Sequence, residues 1–100
     1  MRVIVDADVR IEDPGNLTEL AVVSDLPAEE IATALRAADL GDTAGDHAWL
    51  RCAALEEQGA LLVDDPQWRQ RFQGMLDYAR RKGWMDDRGE AVRAHITARE

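Results

Sequence analysis

Two histidines, His47 and His95, are the side chains in this 100-residue sequence best suited to moving a proton near neutral pH. His47 follows Asp46 directly, and His95 falls on the polar side of an alternating segment, VRAHITAR. Neither stands at a recognisable spacing from a nucleophile. Cys52 is the one thiol. It lacks the local signature of a cysteine nucleophile and reads as a small buried apolar residue. Two histidines and one cysteine this far apart do not make a zinc site. Asp6 and Asp8 form a D-x-D pair that could offer oxygen ligands to a divalent ion. The same spacing arises on any exposed strand face, and no further ligands cluster around it. Gly-rich phosphate loops, Walker-type motifs and dinucleotide fingerprints are missing. The expectation is an activity without a metal or cofactor. His47 and His95 are its catalytic candidates, and Trp49, Arg51, Trp68, Arg71, Phe72 and Tyr78 are candidates for contacting a substrate.

The element that must position these groups is a long helix, expected over Asp65 to Trp84. Asp65 can cap it and Pro66 suits its first position. Trp68, Phe72, Met75, Leu76 and Ala79 recur at helical spacing and fall in one stripe about 100° wide. Gly83 stands where a left-handed residue would end the helix, and Arg80, Arg81 and Lys82 suit its negative end. Trp68 and Phe72 are core candidates first, and pocket candidates second. Tyr78 and Arg71 flank the stripe where a polar rim could form.

Before that helix, Met1 to Ile11 alternates as one half-buried strand. Asp13-Pro14-Gly15-Asn16 signals a turn, and Glu19 to Ser24 reads as a second strand antiparallel to the first. Pro27 to Leu40 is an amphipathic helix stopped by Gly41. Gly41 to Asp46 reads as a flexible connection. His47 to Leu50 then reads as a short strand leading into a helix that Gly59 interrupts. After the long helix, Asp86-Asp87-Arg88-Gly89 is a turn and Val92 to Ala98 a final strand. The fold expected is α+β in one domain, residues 1–100. A small antiparallel sheet, the N-terminal hairpin plus the C-terminal strand, packs against three helices.

The formal net charge of −8 argues against a general nucleic-acid binder, which needs clustered Lys and Arg. The C-terminal helix, acidic turn and strand follow the order of a winged-helix module, but the domain is acidic and that helix is heavily apolar. Residues 1–65 hold 15 acids and 4 bases, a net of −11, and residues 66–100 hold 5 acids and 8 bases, a net of +3. Attraction within the fold or across a homodimer accounts for this division. An acidic surface that draws a small-molecule or cationic peptide ligand is the sharper reading. So short a chain gains stability from a second copy, so a homodimer is expected. No apolar run is long enough to span a membrane. The start MRVIVDADV carries acids within its apolar stretch, unlike a signal peptide. With a single cysteine, a reduced, cytoplasmic setting is the simplest expectation.

The GDHAWLR segment, the DPQWRQRFQGMLDYARRKGW segment and the VRAHI ending resemble short actinobacterial proteins of this length, among them the small cofactor-free enzymes of lanthipeptide clusters. Those enzymes close a lysinoalanine bridge by adding a lysine amine to dehydroalanine. The resemblance implies a natural-product tailoring enzyme, and no family residue is carried over to a position here. The reaction needs reactants held close, a base for the ammonium proton and donors for a developing enolate. The alternative is a non-enzymatic interaction module that meets a partner through the Trp68 and Phe72 stripe or through Trp84.

Overall fold

A computed structural model describes residues 1–99, and Glu100, the last residue of the expected domain, lies outside the described residues. The chain runs β1 (Arg2–Val5), β2 (Val9–Glu12), β3 (Ala21–Val23), α1 (Ala28–Ala37), β4 (Gly41–Ala44), β5 (His47–Arg51), α2 (Cys52–Ala60), α3 (Trp68–Arg81) and β6 (Ala91–Thr97). All six strands join one curled, half-barrel sheet in the order β2-β1-β3-β6-β5-β4. The class is α+β and there are three helices, as expected. The small antiparallel sheet is not what forms: the sheet has six strands and is mixed, with β3 parallel to both β1 and β6.

The chain departs from the expected strand at Asp6. Met1 to Ile11 is not one strand, because the chain reverses at Asp6–Asp8. There the Asp6 carboxylate accepts the Asp8 amide at 3.1 Å and the Asp6 amide donates to the Asp8 carbonyl at 3.0 Å. Val3 then lies opposite Ile11, and Val5 opposite Val9, so the apolar alternation survives the reversal. The loop after Asp13 carries the chain back to the start of β1, where Ala21 donates to the Met1 carbonyl at 3.3 Å. The next strand must therefore run alongside β1 in the same direction.

The segment expected to be a flexible connection is the hairpin of β4 and β5. Its two-residue turn places Gly45 at φ 64, which suits the twist of paired strands. Helix α1 ends earlier than expected. Asp39, at φ 58, takes the left-handed position, with Leu40 N–H donating to Leu35 C=O at 2.9 Å and Asp39 N–H to Arg36 C=O at 3.1 Å. Gly41 is released to open β4. Helix α2 continues through Gly59 instead of breaking there.

Helix α3 begins at Trp68, three residues after the expected cap. Asp65 accepts the Gln67 amide at 2.9 Å and so closes the preceding turn. The expected stop is present: Gly83 has φ 78, and Trp84 N–H donates to Ala79 C=O at 2.9 Å. Trp68, Phe72, Leu76 and Ala79 are buried, and the Trp68 and Phe72 rings stack with centroids 5.2 Å apart. They join Ile31 and Leu35 of α1, Leu55 of α2, and Val3, Val22, Leu50 and Val92 of the sheet in one core. Register sets Ala48, Leu50, Val92 and Ala94 on this core face and His47, Trp49, Arg93 and His95 on the other. Among the described residues no helix is long and apolar enough to cross a membrane.

Candidate functional site: a cleft beside strand β6

Strand β6 gives one edge to β5 along Ala91 to His95. Its other edge is shared. Val92 meets Met85, and pairing with β3 begins only at His95 opposite Ala21. A cleft of about 810 Å³ opens at this break. The C-terminal half of α3 supplies Gly74, Met75, Tyr78, Ala79 and Arg81, and the loop before β3 supplies Leu17 to Leu20. Trp84 also lines it, and its carbonyl accepts the Arg93 amide at 2.7 Å. The turn feeding β6 is fixed by Asp86, whose carboxylate accepts the Glu90 amide at 2.8 Å and the Ala91 amide at 3.1 Å. Those amides, the Ala91 one foremost, hold the Asp86 carboxyl below the usual carboxylate range.

His47 and His95 both line this cleft. They lie opposite each other in the β5–β6 register, with ring centroids 5.1 Å apart. His47 Nδ1 is 2.7 Å from Asp46 Oδ1. This is an ion-pair distance, with the Asp46 side chain itself largely exposed. The Asp46 carbonyl in turn accepts the Ile96 amide at 3.4 Å, which ties the aspartate to β6. Two imidazoles side by side, one of them near a carboxylate, can take up and return a proton.

Of the other candidates, Tyr78 joins the histidines in the cleft. Its ring meets Trp84 edge-on at 5.8 Å, with the Arg81 guanidinium 5.9 Å and the Lys82 ammonium 5.5 Å from its centroid. Trp49 and Arg51 line a separate groove of about 350 Å³ with Arg36, Asp39 and Asp42. Trp68 and Phe72 are core residues, the indole N–H donating to the Pro14 carbonyl at 2.8 Å. Arg71 pairs with Asp65. Sequence reasoning passed over the roles of Leu17, Leu20, Gly74 and Arg93. Arg93 carried a usable signal, since it stands two residues from His95 on the same strand face. Gly74 did too, as a glycine inside a helix, where alanine would be favoured by about 1 kcal/mol.

Cys52 lies outside the lining of this cleft, and burial pushes its thiol up to about 11, with Asp86 adding to the shift. At pH 8 the native thiolate fraction should be roughly 100-fold below that of the unfolded chain. Iodoacetamide should therefore alkylate Cys52 slowly in the native protein and rapidly in urea. Equal rates would show the thiol to be accessible and activated.

No protein-family profile, no curated protein and no solved structure matches this chain.

Proposed function

We propose that the protein binds a small molecule or a short peptide in the cleft beside β6 and moves a proton at its rim through His47. The observation that carries this reading is the meeting of two imidazoles, one of them 2.7 Å from the Asp46 carboxylate, against an apolar cleft. Pockets of this volume class, mostly apolar with a few convergent polar groups, are the usual form of a small-ligand site.

The reaction proposed for it is the conjugate addition implied by the sequence resemblance. The lysine nitrogen bonds to Cβ of dehydroalanine, and the π pair moves toward the carbonyl as an enolate. A proton leaves the new ammonium for the His47 imidazole, and Cα of the enolate is protonated. Nothing is oxidised or lost, so product and substrate have the same mass. In this reading His95, whose ring centroid is 5.1 Å from that of His47, returns the proton.

The test uses a synthetic peptide carrying one dehydroalanine and one lysine. Turnover appears as loss of thiol-trappable dehydroalanine and as lysinoalanine in the acid hydrolysate. Replacing His47 with glutamine should lower kcat by about 10²–10⁴-fold with the fold intact. Unchanged turnover in His47→Gln and His95→Ala would remove the histidines from the mechanism. No turnover by the unaltered protein would overturn the enzymatic reading. The interaction module would then stand, with Leu61 and Leu62, 84% and 58% exposed, as its first surface to examine.

A further inference from the structure

The charges inside the cleft differ from those of the molecule. The chain holds 20 acidic and 12 basic residues. Among the described residues, eight of the eleven arginines have a carboxylate within ion-pair distance. Arg81 and Arg93 are not among those eight, and both line the cleft, where Glu19 is the only acid among the described residues. The smaller groove is an internal comparison. Its two arginines, Arg36 and Arg51, pair with Asp42 and Asp39. With acids in such excess, guanidinium groups that have no carboxylate partner among the described residues, set beside an apolar wall, offer their donors to something else.

We infer that the cleft takes an amphipathic carboxylate: an apolar body against Leu20, Met75 and Val92, with its carboxylate on the Arg93 fork and Arg81 adding attraction. The inference rests on the proposed role of the cleft as a binding site, and it names the chemistry of what binds there. A guanidinium matches a carboxylate through two parallel hydrogen bonds, a geometry that neither a neutral nor a cationic head group reproduces. Placed on Arg93, the head group lies two residues along β6 from His95, on the same face of the strand. The shared chemistry covers both a free organic acid and the terminal carboxylate of a peptide.

The experiment is an amide-resolved NMR titration of the intact chain with matched probes. These are 4-phenylbutyrate, 4-phenylbutanol and 4-phenylbutylamine, then N-acetyl-Leu-Phe as free acid and as amide. In each matched set the acid should bind about tenfold or more tighter than its neutral partner, moving the Gly74, Ala94 and His95 amides. The set with the larger preference tells a free acid from a peptide terminus. Arg93→Gln should erase the preference, bringing the affinity for 4-phenylbutyrate down to that of 4-phenylbutanol in the same variant. Gly74→Leu should block every probe. A Cβ at Gly74 meets no atom within 4 Å, so that variant fills the cleft without crowding the core. Equal affinity for acid and alcohol, or tightest binding of the amine, would overturn the inference and leave the cleft as a site. Shifts confined to other amides would overturn the cleft reading itself.

Discussion

Replacing Trp68 with alanine should remove about 3–5 kcal/mol of stability, the range for deleting a large buried aromatic. Small domains hold only roughly 5–15 kcal/mol in total, so the variant should be near the limit of folding. Three features of the site place the effect at the upper end. The indole is 1% exposed and stacks on Phe72, so its removal leaves a void bounded by rigid core. Its N–H donates to the Pro14 carbonyl and so fixes the loop that carries Leu17 and Leu20 into the cleft. Gly59 also makes room for it: a Cβ at Gly59 would lie 2.6 Å from the indole Cη2. Helix α2 has thus given up a side chain to fit this ring, and nothing smaller fills the space. Urea denaturation reads the loss directly. Trp68→Phe keeps most of the ring and gives up the bond to Pro14, so it should cost less and loosen mainly the 13–20 loop. A Trp68→Ala variant within about 1 kcal/mol of the parent would mean that the core collapses around the site.

The parts of this fold legible in the sequence are those set by local patterns. Helix α3 is one. Its stripe recurs from Trp68 to Ala79, and Gly83 ends the helix by a backbone conformation that other residues adopt at a cost. The C-terminal strand and its acidic turn are local in the same way. What stayed hidden is non-local. Gly41-Asp42-Thr43-Ala44 has little strand propensity and becomes a strand because β5 pairs with it. The early reversal at Asp6–Asp8 was masked because Val3, Val5, Val9 and Ile11 keep one face on both sides of it. The parallel placement of β3 followed from that missed turn. The site divides along the same line. His47, His95 and Tyr78 stood out by residue type, but their meeting depends on the β5–β6 register and on a break in the pairing of β6. Trp49 and Arg51 share the outer face with His47. Yet at about 3.3 Å per residue, Arg51 lies roughly 13 Å further along β5, in the other groove.

Substituting Gly41 with alanine should cost on the order of 2–6 kcal/mol, combining overpacking with a strained backbone angle. Gly41 has φ 156, and a Cβ built there would sit 1.9 Å from the Trp49 carbonyl oxygen. That oxygen belongs to the β5 backbone and cannot rotate away as a side chain would. Relief requires β4 to separate from β5 at the end where Gly41 lies opposite Leu50. The hairpin continues from there to Ala44 opposite His47, so the displacement reaches the strand that carries the imidazole and the Asp46 beside it. The variant should therefore lose stability in urea and lose amide-exchange protection along β4. The Gly74, Ala79 and Trp84 side of the cleft should keep its own. Gly15→Ala is the matched control, since nothing lies within 4 Å of a Cβ there. It should be neutral or slightly stabilising by restricting the unfolded chain. If Gly41→Ala behaves like Gly15→Ala, β4 is a yielding edge, and the placement of His47 depends on its pairing with β6 alone.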